Sequence, residues 1–361
     1  MSDQSSVSQH KRFNTRYLLL LLLITLISWR VYTDRDYWTD AWNQKSLSPT
    51  DSVSLANQRP PTAGSNTKRV ARHTFDLSNT TIPRAEILSG GPPKDGIPAL
   101  SNPKFLPAAA ATYLQPTDRI IGISVNNEAR AYPLRILNYH EIVNDRLADI
   151  PIAVTYCPLC DSCAVFDRRT PQGETEFGVS GLLYNSNVLM YDRTGKTASL
   201  WSQLAKQAIS GPVANKSLKA LPLELTTWKD WQTRHPNTKV LSTETGHHRN
   251  YNRSPYADYF KTPRLMFPAQ PSSDRLSAKE RILAVWTDQG ARAYPESAFS
   301  PNYTQLADTL NGKKISIVFD LQSDSLRVIK ADKGIHWLYS LWFAWYAMHP
   351  ETEVYTPPKR R

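Results

Sequence analysis

The sequence predicts an α+β fold, rich in antiparallel sheet and built from two unequal pseudo-repeats with short helices. Three observations predict it. Ala129-Arg130-Ala131-Tyr132-Pro133 recurs as Ala291-Arg292-Ala293-Tyr294-Pro295. The stretch Trp228 to Val240 recurs, with its Trp, Trp, His, Pro and Thr in step, as Trp342 to Val354. Short alternating apolar runs separated by polar turns fill the space between, as half-buried strands require.

Taken in order, the chain opens with His10, Lys11, Arg12 and Arg16 before an apolar run from Tyr17 to Trp29. A basic flank followed by such a run is an export signal. It lacks a small-residue cleavage site, which favours an uncleaved signal anchor over residues 17–32. Residues 1–16 are then expected in the cytoplasm. Residues 33–72 read as a flexible tether, because Ser46 to Lys68 is rich in Ser, Thr, Pro and Asn without an apolar period. The remainder, 73–361, is the expected extracytoplasmic domain, with repeat one at about 119–247 and repeat two at about 281–356.

Each repeat begins with a hairpin. Ile121 to Val125, the turn Asn126-Asn127 and the shared five residues form the first; Leu283 to Thr287, Asp288-Gln289-Gly290 and the second five form the other. Each ends with a short helix whose tryptophans at i and i+3 share a face and whose His-Pro terminates it. Thr227 and Ser340 are the expected caps. Repeat two carries Ile315 to Asp320 where repeat one has Ile152 to Cys157, so the strand is kept without the cysteines.

The chain carries a net charge of +11, 26 Pro and three Cys. Its basic residues are scattered and form no helical stripe, so no nucleic-acid partner is expected. The expected partner is the membrane, through residues 17–32. Cys157, Cys160 and Cys163 lie within seven residues and cannot staple distant loops.

Cys157-Pro158-Leu159-Cys160 is the reactive segment. Its spacing suits a redox dithiol or half of a metal site. No helix follows it, which argues against a thioredoxin-like arrangement. His140 precedes the cysteine strand and completes a candidate set, Cys157, Cys160 and His140, for catalysis or for a soft metal such as copper or zinc. The same residues fit a structural disulfide or an inert turn and a satisfied core histidine. Lys94 and Asp95, in a Gly- and Pro-rich loop, are binding candidates, against the reading of that loop as a rigid turn. Ser180 and Asn185 are further binding candidates. Ser180 lies in Gly178-Val179-Ser180-Gly181-Leu182, which lacks the second glycine of a nucleophile elbow. Asp167-Arg168 and Asp192-Arg193 read as paired surface or rim charges.

Several ordered motifs resemble one bacterial family. They are Gly90 to Pro98, Ala129 to Pro133, Asn138-Tyr139-His140-Glu141 through Asp145, Thr155-Tyr156-Cys157-Pro158-Leu159-Cys160, Phe177 to Asn185, Met190 to Arg193 and Leu200 to Gln203. Together they resemble the domain-of-unknown-function 3179 family over about residues 73–356. The resemblance implies an exported or envelope protein, here of a bacterial inner membrane with its domain facing the periplasm or exterior. It brings no agreed activity. Cys163 departs from the family pattern. Two functions stay open: a thiol site that binds a soft metal or does thiol chemistry, and a non-enzymatic envelope scaffold with a local disulfide. A thiol-dependent lyase acting on carbon–metal bonds is a third, fainter reading. Whether the chain is an enzyme is left open.

Overall fold

Strands dominate because β-branched and aromatic residues alternate with polar ones, while Pro and Gly interrupt longer helices. A computed structural model describes residues 75–193, 195–301 and 304–357. The expected cytoplasmic segment, anchor and tether over 1–72 lie outside the described residues. Among the described residues no helix is long and apolar enough to cross a membrane.

Short strands β1 (Leu88–Ser89), β2 (Leu100–Ser101) and β3 (Phe105–Pro107) lead into β4 (Arg119–Val125) and β5 (Glu128–Pro133). Helix α1 (Leu134–His140) follows, then β6 (Ile142–Leu147), β7 (Ile150–Cys157) and β8 (Ser162–Asp167). A small ribbon, β9 (Arg169–Thr170) with β10 (Gly173–Glu174), precedes β11 (Phe177–Tyr184), β12 (Asn187–Asp192), β13 (Leu200–Ser202) and β14 (Gln207–Ser210). Strand β15 (Glu224–Thr227), α2 (Trp228–Arg234) and β16 (Lys239–Leu241) come next. After a long irregular segment come β17 (Arg281–Trp286), β18 (Ala291–Pro295), β19 (Gln305–Leu310), β20 (Lys313–Asp320), β21 (Ser325–Ala331) and β22 (His336–Leu341). Helix α3 (Trp342–Met348) and β23 (Glu353–Val354) complete the chain. The fold is α+β with sheet predominant, as the patterning requires.

An eight-stranded sheet runs β2-β6-β7-β8-β22-β17-β18-β23. It joins through Tyr339 of β22 opposite Cys163 of β8. A five-stranded sheet, β15-β4-β5-β16-β3, and a three-stranded one, β19-β20-β21, flank it. A further sheet, β1-β11-β12-β13-β14, stands beside the cysteine turn. One apolar cluster includes Ile121, Tyr132, Val154, Val165, Leu283, Tyr294 and Ile317, so strands from both ends of the domain share a core.

The recurring five residues make the same contacts in both places. Arg130 and Tyr132 both donate to Oδ2 of Asp145, the tyrosine at 2.6 Å. Arg292 and Tyr294 donate to Oδ2 of Asp308 at 2.7 and 2.8 Å. Alternation places Arg and Tyr, two residues apart, on one face, where a single carboxylate from the next strand serves both. The recurring helices agree too. Trp231 Nε1 donates to Thr238 Oγ1 at 3.0 Å, and Trp345 Nε1 to Thr352 Oγ1 at 2.9 Å. His235 and His349 each close their helix and lie 4.0 Å from the ring of that tryptophan.

Two expectations need correction. Thr227 caps α2 through Asp230 N–H, but α3 begins at Leu341 without a side-chain cap, and Ser340 Oγ donates to the Leu341 carbonyl instead. The Asp-Arg neighbours do not pair with each other, and of the four only Arg193 is exposed, at the rim of a groove. Arg168 is buried and donates to the carbonyls of Ile152, Thr175 and Asp145. Asp192 is buried under Trp201 Nε1 and Ser199 N–H. Neighbours in a strand face opposite sides, so each of these residues finds partners across the sheet.

Candidate functional site

Strand β7 turns into β8 at the cysteines. Cys157 pairs with Ser162, and Cys160 N–H closes the turn on the Cys157 carbonyl at 3.1 Å. Asp161 takes a left-handed conformation (φ 45°), which an Asp tolerates better than most residues. Its carboxylate receives Arg119 at 2.8 and 2.9 Å, Tyr156 Oη at 3.0 Å and Arg281 Nε at 3.2 Å. The two long hairpins therefore hold this turn through one buried carboxylate. Strands β20 and β21 make a similar turn. There Asp320 pairs with Ser325, Asp324 is left-handed (φ 48°), and Ser323 donates through N–H and Oγ to Asp320 Oδ1 at 2.8 and 2.9 Å. Asp320 and Ser323 stand where the other turn has Cys157 and Cys160.

The three thiols divide between two faces. Cys163 packs with Tyr156, Val165 and Tyr339 in the shared apolar core, and burial pushes its thiol up. Ser162, its neighbour, turns to Gln203 on the opposite face. Cys157 and Cys160 face that side as well. All three thiols are free and buried, Cys157 at 1% exposure and Cys160 at 0%.

Cys157 and Cys160 are chemically unlike. Burial works against ionising Cys157, but the Cys160 thiol and the N–H groups of Val188, Cys160 and Leu159 point at its sulfur and bring it below an ordinary thiol. Burial, and then the hydrogen bond and charge of Cys157, push Cys160 well up. The Ser186 carbonyl lies 3.2 Å from Cys160 Sγ and 3.8 Å from Cys157 Sγ. A carbonyl oxygen only accepts, so it favours S–H on Cys160. Of the two thiols sharing this pocket, Cys157 is therefore the more readily ionised.

A satisfied polar network holds Asn187, the neighbour of Ser186. Gln203 Oε1 receives Ser162 Oγ at 2.6 Å and Asn187 Nδ2 at 2.9 Å, while Gln203 Nε2 donates to Thr155 Oγ1 at 2.9 Å. Asn187 Oδ1 receives Leu204 N–H at 3.2 Å. Such a network, buried and complete, favours one geometry.

The irregular stretch between β16 and β17 covers the pocket. Tyr259 Oη donates to the Leu159 carbonyl at 3.0 Å. Ser186 Oγ donates to the Phe267 carbonyl at 2.6 Å, and Asn185 exchanges hydrogen bonds with Gln270 at 3.0 and 3.1 Å. Removing the first of these, by Tyr259→Phe, is expected to quicken thiol modification by Ellman's reagent about fivefold, since one such bond contributes about 1 kcal/mol. An unchanged rate means that this stretch does not gate the thiols.

The other expected site residues fall elsewhere. His140 contacts the Pro98 carbonyl through Nδ1 and Tyr251 Oη through Nε2, both at 2.7 Å. Burial brings its pKa down to about 4, with His247 and Arg249 adding to the effect. Pro98 can only accept, so Nδ1 carries the proton and Nε2 accepts from Tyr251. No ring nitrogen is left for a metal. Among the described residues no group of three or more His, Cys, Asp or Glu side chains is arranged to hold one, so Cys157, Cys160 and His140 are not brought together as a ligand set. Lys94 Nζ lies 4.2 Å from the Tyr191 ring centre, and Asp95 receives Tyr191 Oη at 2.5 Å and Arg193 at 3.0 Å. Ser180 donates to the Leu189 carbonyl within its own sheet. Asn185 is the latch to Gln270, and its side chain also reaches the Ala347 carbonyl at 3.1 Å.

Glu141 was not singled out from sequence. It follows α1, is 7% exposed, and couples electrostatically to Cys157. Tyr256 couples to both. The Asn-Tyr-His-Glu motif contains it, but His140 draws attention first. A groove of about 650 Å³ lies apart from the thiols between Arg146, Arg168, Arg193 and Glu174, where the arginines already have acidic partners.

A family model described as a protein of unknown function (DUF3179) matches residues 94–338. No curated protein and no solved structure matches.

Proposed function

The chain belongs to the DUF3179 family, and from that premise we propose that it is a membrane-anchored, extracytoplasmic dithiol protein, with Cys157 as attacking thiolate and Cys160 as resolving thiol. The observation that carries this reading is the asymmetry of the pair. Cys157 is held below an ordinary thiol by its hydrogen-bonding surroundings, while Cys160 is pushed well up, with the Ser186 carbonyl 3.2 Å from its sulfur. A site for a soft metal calls for two thiolates and further ligands; a shared proton suits exchange with a disulfide better. Net, two thiols and one disulfide substrate give the Cys157–Cys160 disulfide and two substrate thiols. The oxidising exterior expected from the N-terminal signal fits such chemistry.

Alkylation of the reduced full-length chain in detergent, followed against pH by mass, tests this. Cys157 is expected to react with a midpoint below an ordinary free thiol. Cys160→Ser should keep that reactivity and lose disulfide formation, and Cys157→Ser should lose both. A Cys157 midpoint at or above that of a free thiol overturns the reading. Near-stoichiometric copper or zinc in the wild type, lost in Cys157→Ser, replaces it with the metal reading. Loss of stability alone on reduction replaces it with a structural disulfide.

A further inference from the structure

The groove of about 650 Å³ has the volume of a small-molecule site, and its lining is charged. Its acidic partners do not match its arginines one for one. Arg168 is 7% exposed, and three backbone carbonyls hold its guanidinium: those of Ile152 at 3.0 Å, Thr175 at 2.5 Å and Asp145 at 3.2 Å. Carbonyls fix a guanidinium without neutralising it. The carboxylate within ion-pair reach is Glu174, whose Oε1 lies 3.4 Å from Arg168 but 2.6 Å from Arg146. One carboxylate thus serves two guanidiniums, one of them buried, where an unmatched charge is costly. Burial accordingly pushes Arg168 below the ordinary arginine range.

Glu174 is placed to leave. Its side chain is 40% exposed, and it ends the ribbon β9–β10, which forms a two-stranded sheet of its own. Such a ribbon is marginally stable. Asp145 also lines the groove, but its carboxylate is committed to Arg130 and Tyr132. Around Arg193 the balance is reversed. That side chain meets two carboxylates, Asp95 at 3.0 Å and Glu176 at 3.6 Å. Glu176 spends one oxygen, Oε2, on both Arg193 and Ser101 Oγ, the latter at 2.6 Å. The groove is therefore polarised. Two guanidiniums face one carboxylate around Arg168, and two carboxylates face one guanidinium around Arg193.

We propose that this groove binds a small zwitterion, with its carboxylate between Arg168 and Arg146 and its ammonium beside Glu176. In this structure Glu174 Oε1 marks the seat, because it already places a carboxylate oxygen between the two guanidiniums. The ligand's carboxylate takes that place as Glu174 withdraws with its ribbon. Arg168 is the fixed half of the seat, since backbone carbonyls hold it whichever anion is present. Arg146, half-exposed, is the half that adjusts. A planar fork of N–H donors suits a carboxylate in such a position. A polyanion fits less well, because its further charges would meet Glu176. The site involves no thiol and stands apart from the dithiol reading.

Titration calorimetry of the full-length chain in detergent, at fixed ionic strength, tests this with alanyl-alanine, its N-acetyl derivative and its C-terminal amide. The dipeptide should bind saturably. The amide, which lacks the carboxylate, and the N-acetyl form, which lacks the ammonium, should each bind about tenfold more weakly, as for a lost charge-assisted hydrogen bond. Arg146→Gln should weaken the dipeptide by a similar factor. Glu174→Gln removes the competing carboxylate and should tighten it. Arg168 is left intact, because three segments of backbone hang on it; the two substituted side chains are partly exposed, and melting temperature confirms that both variants fold. An amide that binds as well as the dipeptide overturns the carboxylate seat, and an N-acetyl form that does so overturns the zwitterion. Wild-type affinity in both variants places the ligand elsewhere and overturns the proposal. So does the absence of saturable binding in wild type and Glu174→Gln alike.

Discussion

Asp145→Ala is expected to cost about 3–5 kcal/mol of stability, the range for removing one partner of a buried ion pair. Asp145 is 8% exposed and takes both Arg130 and Tyr132 on a single oxygen. Its loss leaves a guanidinium and a phenol without a partner between two sheets. Asp308 plays the matching part for Arg292 and Tyr294, but its side chain is 19% exposed and Arg292 also holds Glu353 at 2.6 Å. Asp308→Ala should therefore cost about 1–2 kcal/mol, in the range for a lost charged hydrogen bond. Urea unfolding of the two full-length variants checks the order. Equal losses, or a loss under about 1 kcal/mol for Asp145→Ala, contradict the account.

Acidification should destabilise the fold through His349. Its Nε2 lies 2.9 Å from the Leu204 carbonyl and 3.1 Å from Lys206 Nζ, with its ring against Trp345. Burial brings its pKa from 6.5 to about 3, helped by the Lys206 charge. The unfolded chain then binds the extra proton first, so stability is full above pH 6.5 and is lost as the pH falls toward 3. The loss is on the order of 3 kcal/mol, allowing for screening at a partly exposed ring. Lys206 follows the same sign at higher pH. Burial brings it from 10.5 to about 7, so stability should rise with pH across that interval. The faces of Trp286 and Trp345, 4.5 and 5.0 Å from its nitrogen, favour the cation and oppose this in part. Melting temperature against pH, in wild type and His349→Gln, checks both. The acid limb should flatten in the variant, and an unchanged limb assigns it to other groups.

The hairpins and helices were legible because their signals are local. Asn126-Asn127 and Asp288-Gln289-Gly290 turn where polar turn residues should, and the tryptophans at i and i+3 share a buried face. The cysteine turn was legible for the same reason. The division of its thiols was harder to see. Simple alternation fails across a turn, so Cys160 joins Cys157 while Cys163 enters the core. Glu141 was not legible because one acid among 32 Asp and Glu residues carries no mark, and its conformation depends on Leu137 and Tyr156 together. The stretch over the pocket has no apolar period. Its tyrosines read as core until Leu159 appears beneath one of them. His140 was a fair candidate by chemistry, but a carbonyl and a phenol from distant segments take both its nitrogens.

The turn at Asp320 to Ser325 gives the protein an internal blank. Its closing pair, its left-handed aspartate and its hydrogen-bonded third residue repeat the cysteine turn with oxygen in place of sulfur. The bend is therefore formed without help from sulfur. Reactivity at Cys157 and Cys160 is free to be gained, tuned or lost while the loop keeps its shape, because foldability and chemistry are written in different atoms of the same few residues.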